Sequence, residues 1–204
     1  MAKLIFDFGD AVIIDEQANH ISRRLSTRLR RMLRPAKLLV DGREFLCVLR
    51  DLCNGGLQLQ LFHDLPEYDQ LEVEFDSGLR YPIRKVWKSA GRMGCAFLEH
   101  VDIQPILSAE GLAHPRRQPR LQVDHDAVLF SDGQKAPAVV REISQHGVAL
   151  DCPTWLMIDE LVRLESKAIP SVYAKVRWRR PPRYGLTFKQ TFGMASLAKI
   201  CMLM

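Results

Sequence analysis

The chain has 204 residues, 47% hydrophobic and 26% charged, with a net charge of +5. No stretch approaches the ~20 apolar residues of a transmembrane helix, and Met1 to Asp15 carries Asp7, Asp10 and Asp15, which is unlike a signal peptide. A cytoplasmic protein with reduced thiols is expected, because the five cysteines are odd in number and lack zinc-site spacing.

In chain order, Lys3 to Ile14 reads as a strand or hairpin broken at Gly9-Asp10. From Glu16 to Arg34 the chain is polar and basic, with Ile21, Leu25 and Leu29 at fourfold spacing; that predicts a helix ended by Pro35. Strand signals follow at Lys37–Val40, Phe45–Leu49, Leu57–Leu61, Leu71–Phe75, Leu79–Lys88 and Cys95–Leu98, with Asp41-Gly42, Asn54-Gly55-Gly56 and Asp76-Ser77-Gly78 as turns. Leu57 to Leu61 alternates strictly, as a half-buried strand does. Pro82 predicts an edge or a bulge. Asp102 to Leu112 reads as a short helix, and His114-Pro115 as the opening of a linker. A second strand series occupies Ala127–Phe130, Ala138–Ile143, Val148–Leu150, Leu161–Glu165, Val172–Trp178 and Tyr184–Phe188. Gly193 to Met204 closes the chain as a helix with Leu197, Ile200, Cys201 and Met204 on one face. Six short antiparallel strands per half predict an all-β fold of small barrels or sandwiches.

The two series are one pattern repeated. Arg50-Asp51-Leu52-Cys53-Asn54-Gly55-Gly56 recurs as Arg141-Glu142-Ile143-Ser144-Gln145-His146-Gly147, 91 residues later. Trp87 and Trp178, Gly94 and Gly185, and Phe97 and Phe188 keep the same spacing. Upstream of each copy stands an arginine pair, Arg30 with Arg34 and Arg116 with Arg120, but these pairs are 86 residues apart, a difference that reads as a surface loop of altered length. The repeat predicts an N-terminal arm over 1–29, a first barrel over 30–112, and a second over 113–204 with a C-terminal helix.

Positive charge is concentrated at Arg23, Arg24, Arg28, Arg30, Arg31 and Arg34, at Arg116, Arg117 and Arg120, and at Arg177, Arg179, Arg180 and Arg183. That density implies an anionic partner. Guanidinium groups grip phosphate bidentately and stack on flat π-faces, a carboxylate accepts from a guanine edge, and a glycine lets a base approach the backbone. Together these residues suit a guanine nucleotide with exposed phosphates. Arg23, Arg24 and Arg28 read as a solvated face, Trp87 and Trp178 as core or barrel-edge residues, and Asp124-His125-Asp126 as a turn. His146 reads as a loop residue within reach of a ligand, and Cys53 as a modestly exposed structural thiol.

Arg-x-x-x-Arg followed by Asp/Asn-x-Ser-x-x-Gly resembles the PilZ family of bacterial cyclic di-GMP receptors. The match covers two tandem copies, from about Arg30 to Leu98 and from about Arg116 to Phe188; Val86-Trp87 and the two Gly-x-x-Phe segments, Gly94–Phe97 and Gly185–Phe188, are similar to the family's closing strands. The resemblance implies two six-stranded antiparallel β-barrels with short flanking helices. It implies a site made of Arg30, Arg34, Asp51, Cys53 and Gly56 in the first copy, and of Arg116, Arg120, Glu142, Ser144 and Gly147 in the second. The arginines, on a mobile arm, would clamp phosphates and guanine faces while the acid and serine read guanine edges. Cys53 replaces the family serine and Glu142 the family aspartate or asparagine, departures worth ~1–3 kcal/mol each if a guanine edge is left unpaired. The second copy is favoured because it keeps the serine.

The implied function is a cyclic di-GMP receptor with a protein partner in motility, pilus or exopolysaccharide control. The alternative is a degenerate tandem barrel that acts as a protein-interaction adaptor. Nucleic-acid binding through the arginine clusters is a third reading, which predicts steep salt dependence. Neither an enzyme nor a cofactor or metal is expected, since no nucleophile–base pair or ligand set is visible.

Overall fold

A computed structural model describes residues 3–7, 10–14, 30–107 and 118–204, with side chains from Met32 onward in the first long segment and throughout the second. Strands β1 (Lys3–Asp7) and β2 (Asp10–Ile14) pair as an antiparallel hairpin. Apart from Glu44–Leu46, the described residues divide in chain order into two compact units, the second beginning at Gln118. The first unit contains β3 (Arg30–Val40), β4 (Arg43–Cys53), β5 (Gly56–Leu61), β6 (Leu71–Glu74), β7 (Arg80–Ser89), β8 (Arg92–Phe97) and the single turn α1 (Gln104–Leu107). The second contains β9 (Leu121–Ser131), β10 (Gln134–Ile143), β11 (Gly147–Asp151), β12 (Leu161–Glu165), β13 (Val172–Arg180), β14 (Arg183–Phe188) and α2 (Met194–Met202).

Each set of six strands is a closed antiparallel barrel of the same order, β3-β4-β5-β8-β7-β6 and β10-β11-β14-β13-β12-β9. Closure satisfies every strand edge, which an open sheet of this size cannot do. The core follows the period-2 pattern. Leu57, Leu59 and Leu61 point inward while Gln58 and Gln60 are only half-buried, and Leu71 and Val73 alternate in the same way with Glu72 and Glu74. In the second barrel Leu129, Val140, Leu150, Val162, Leu164, Val176 and Leu186 fill the interior. Each buried side chain of this kind contributes ~1.5–3 kcal/mol. Lys37 and Glu74 oppose each other across β3 and β6 in a largely buried ion pair of 2.6 Å, and Arg80 Nε donates to the same carboxylate at 2.6 Å.

The repeat reaches the irregularities. Both barrels enter their second strand through an Asp-Gly turn, Asp41-Gly42 (φ 48° and 81°) and Asp132-Gly133 (φ 47° and 76°). Positive φ at both central positions is the hairpin turn whose twist matches the strands. Between β4 and β5 the register shifts around Arg50, and between β10 and β11 it shifts around Arg141, 91 residues on. A second bulge falls at Val86 on β7 and at Arg177 on β13. Trp87 opposes Gly94 and Trp178 opposes Gly185; a Cβ on either glycine would lie about 2 Å from the indole nitrogen. The indole therefore covers the gap that each glycine leaves in the next strand.

Four sequence expectations are corrected. Asp124-His125-Asp126 lies inside β9 and is not a turn. Arg30 to Arg34 are strand, not the end of a helix, and Pro35 lies inside β3 rather than stopping a helix; the remainder of that expected helix lies outside the described residues. The C-terminal part of the Asp102–Leu112 helix is likewise outside them, and its described part is one turn, with Asp102 Oδ1 accepting from the Gln104 amide at 3.0 Å. Pro82 opposes Glu72 on short β6 in a barrel without an edge, and the bulge sits further along, at Val86.

Candidate functional site

The bulges decide which side chains reach the surface. An extra residue at position 141 leaves Val140 opposite Leu150 and Glu142 opposite Ala149, and it turns both Arg141 and Glu142 toward solvent. Arg120, one residue before β9, donates from Nη1 to Glu142 Oε1 at 3.0 Å, and Gln122 Nε2 donates to Glu142 Oε2 at 3.2 Å. Two of the expected site residues are thus in contact, with Arg120 60% exposed. Beside them Arg141 bridges two carboxylates, Asp124 at 2.6 Å and Asp151 at 2.8 Å, and Arg183 Nε donates to Asp151 at 2.8 Å.

The turn after β10 is built by its own polar atoms. Ser144 N and Oγ donate to the Gly147 carbonyl at 2.9 and 3.2 Å, and the His146 amide donates to Ser144 Oγ at 3.4 Å. Gly147 has a structural demand of its own: a Cβ there would lie 2.1 Å from the Leu186 carbonyl oxygen. Gly56 is under the same constraint, 2.3 Å from the Cys95 carbonyl oxygen. Each glycine permits close strand approach, whatever it also offers a ligand.

The first copy is arranged differently. Asp51 is half-buried after its bulge, but Cys53 is 2% exposed and lies in the core, not on a ligand face. All five cysteines are free thiols. Burial pushes the Cys95 thiol up to about 12 and raises Cys47 as well, so these buried thiols are poor nucleophiles at neutral pH. Arg34 donates to the carbonyls of Ile106 at 2.7 Å and Leu107 at 3.4 Å, at the C-terminal end of α1. The side chain of Arg30 and all of Arg116 lie outside the described residues.

Strand lengths explain the 86-residue spacing. β3 and β9 have 11 residues each and start 91 residues apart, so no loop differs in length; Arg30 and Arg34 simply stand inside β3, whereas Arg116 and Arg120 precede β9. A second arginine pair at i and i+4, Arg24 and Arg28, precedes β3 by six and two residues, close to the five and one of Arg116 and Arg120 before β9. The signal for this pair was present in Arg24-Leu25-Ser26-Thr27-Arg28 and was masked by the neighbouring arginines. Gln122 and Asp151 carried no motif, Arg183 stood out only as one of an arginine cluster and Asp124 only in an expected turn, and the contacts of all four are legible only through strand register.

The Arg183 guanidinium, and behind it Arg141, hold the Asp151 carboxyl below the ordinary carboxylate range. A depressed carboxylate contributes stability above its unfolded value of about 3.8, and that contribution is lost as pH falls through the folded value. Asp151→Asn is therefore expected to destabilise the second barrel by about 1 kcal/mol at neutral pH. Urea melts of the two proteins should converge in acid; a gap that persists there would show that the loss is not ionic.

Taken together, the molecule is a tandem of closed β-barrels, the second of which displays an arginine–carboxylate surface beside a Ser-x-x-Gly turn. The chain belongs to the PilZ domain family, whose model matches residues 22–109 and again 114–201. Comparison with curated proteins finds no match. Among solved structures the chain is similar to Borreliella burgdorferi PlzA in complex with c-di-GMP, at 9% identity over 83% of this chain and 86% of that one, with a TM-score of 0.35. It is also similar to the K. pneumonia MrkH–c-di-GMP complex (14% identity, 83% and 85% covered, TM-score 0.35). A third is the Bacillus subtilis inhibitor of motility MotI/DgrA (15% identity, 85% and 97% covered, TM-score 0.35). Among the described residues no helix is long and apolar enough to cross a membrane, and no group of three or more His, Cys, Asp or Glu side chains is placed to hold a metal ion.

Proposed function

We propose that this chain is a cyclic di-GMP receptor whose principal site is on the second barrel, and that ligand binding there regulates a protein partner. Family membership supports the ligand class, and the Arg120–Glu142 contact is the observation that carries the assignment to this barrel. An ion pair this exposed is worth ~1 kcal/mol or less. A ligand phosphate can take Arg120 from Glu142 at little cost and replace it with a stronger charge-assisted bond. The released carboxylate, steadied by Gln122, is then free to accept from the N1–H and exocyclic amine of a guanine. Ser144 serves this surface by shaping the turn through its bonds to Gly147 and His146.

In the first barrel the buried thiol of Cys53 and the engagement of Arg34 at α1 favour a weaker site. If that barrel binds at all, Arg24 and Arg28 are its clamp in place of Arg30 and Arg34, by their position before β3. The partner process, whether motility, pilus or exopolysaccharide control, is part of the proposal. The domain limits 1–29, 30–112 and 113–204 are proposed with it.

Calorimetric titration of the full chain with cyclic di-GMP, with GTP and GMP as controls, tests the reading. Selective binding at a stoichiometry matching one barrel is expected. Absence of heat at high micromolar cyclic di-GMP would overturn it and leave the adaptor reading in place.

A further inference from the structure

The two barrels act as an internal comparison: what the fold requires should occur in both, and what only one carries has another cause. Trp155, Met157, Ile158 and Leu161 are 63%, 64%, 47% and 51% exposed on the loop from β11 into β12. Their counterparts 91 residues earlier are Asp64, Pro66, Glu67 and Gln70. The same backbone place in the first barrel is polar and is held by an ion pair, Lys88 to Asp64 at 2.5 Å. In the second barrel the equivalent pair is Arg179 over the Trp155 ring, 4.4 Å from its centroid. The latch is kept while its chemistry has changed from charge to aromatic, and an apolar surface has appeared around it.

The loop is fixed rather than loose. Leu156 is fully buried, the Cys152 amide donates to the Pro182 carbonyl at 2.8 Å, Arg179 Nη1 donates to the Leu156 carbonyl at 3.2 Å, and the Asp159 amide donates to the Val176 carbonyl at 2.8 Å. With Leu156 turned inward, its neighbours Trp155 and Met157 face solvent. The carboxylates nearby are occupied: Asp159 by Arg177 at 2.8 Å, and Glu160 by the Met157 amide at 2.6 Å and by Ser131 Oγ. Arg179 and Arg180, by contrast, have no carboxylate within ion-pair distance among the described residues. The patch is therefore apolar in the middle and positive at its side.

We propose that this loop, with the Arg179–Arg180 end of β13, is a docking surface for an anionic lipid membrane. Side chains this far exposed stand proud of the surface, and a bilayer interface accepts a convex apolar tip without needing a matching pocket. Tryptophan favours the headgroup level, Met and Ile the acyl boundary, and the arginines the lipid phosphates. A second copy is disfavoured, because a two-fold contact through this patch would bring its arginines together with no carboxylate of the patch left to offset them. The surface lies at the end of β11 remote from the Ser144–Gly147 turn; it adjoins Arg183, which opposes Arg180, but shares no residue with that turn or with the Arg120–Glu142 contact.

The test is flotation of the full chain with vesicles of phosphatidylglycerol and phosphatidylcholine, and with phosphatidylcholine alone. Association with the anionic vesicles only is expected, with a blue shift of tryptophan emission that is absent in Trp155→Phe. Trp155→Ala combined with Met157→Ser and Ile158→Ser should weaken association more than ~10-fold, and Arg180→Gln about fivefold. Circular dichroism should show each variant folded. Failure to float with anionic vesicles at low salt, as a protein-docking face would give, overturns the proposal, as does flotation unaffected by these variants.

Discussion

Gly147→Ala should unfold the second barrel, or leave it melting far below the parent. The added Cβ would sit 2.1 Å from the Leu186 carbonyl oxygen, 3.1 Å from its carbon and 3.3 Å from Thr187 Cα. All three are backbone atoms of β14, so no side chain can swing aside. Relief requires β11 and β14 to separate along the ladder that runs from Gly147–Thr187 to Asp151–Arg183. The turn goes with it, since Ser144 N and Oγ both bond the Gly147 carbonyl. A cost of ~3 kcal/mol or more is expected, a large share of the ~5–15 kcal/mol that holds a small domain. Gly56→Ala should behave alike in the first barrel, while Gly55→Ala, with nothing within 4 Å, should cost less than about 1 kcal/mol. Thermal melts of the three variants decide the matter, and a parent-like melt for Gly147→Ala would refute the steric account. A binding defect in a Gly147 variant therefore reports on the fold before it reports on a ligand.

The second large effect is on binding. Arg116→Ala with Arg120→Ala should remove cyclic di-GMP binding from the second barrel while the barrel stays folded. Arg120 is mostly exposed, and its bond to Glu142 is a surface pair that contributes little to stability. Against a phosphate, each guanidinium is worth ~1.5–3 kcal/mol, so the double variant should lose on the order of a hundredfold or more in affinity. Calorimetry with retained affinity and unchanged stoichiometry would refute the assignment. Arg24→Ala with Arg28→Ala, set beside Arg30→Ala with Arg34→Ala, then separates the two candidate clamps of the first barrel. Only the former should change any binding there directly; the latter loosens α1, because Arg34 holds the Ile106 and Leu107 carbonyls.

Most of the architecture was readable in the chain because strands announce themselves by alternation and turns by glycine. Leu57 to Leu61, Leu71 to Glu74 and Asp41-Gly42 are examples, and their observed burial and φ agree. Arg30 to Arg34 were not readable as strand. Their fourfold arginine spacing continues the helical pattern of Ile21, Leu25 and Leu29, and local periodicity cannot see that barrel closure recruits the segment into β3. The bulges were equally hidden, since one extra residue in one strand leaves no mark until the partner register is known. That is why the contact of Arg120 with Glu142, and the role of Asp151 between Arg141 and Arg183, came only with the structure. The motif glycines were recognised, but the reason for them is backbone against backbone.

The buried pair Lys37–Glu74 has a meaning for how the chain assembles. Two copies of one strand pattern emerge in succession during synthesis, and tandem repeats of this kind are prone to exchange equivalent segments. At the matching place in the second barrel, Val128 opposes Glu165. If β9 took the slot of β3, Val128 would face Glu74 and leave that carboxylate, 13% exposed, with Arg80 alone. The converse exchange would bring the Lys37 ammonium against Glu165, which Arg163 already holds. Either exchange loses the Lys37–Glu74 pairing that matches the two strands, and the first also leaves a largely buried carboxylate with one cation where it had two. One lysine thus labels its strand, and each barrel closes on its own sequence.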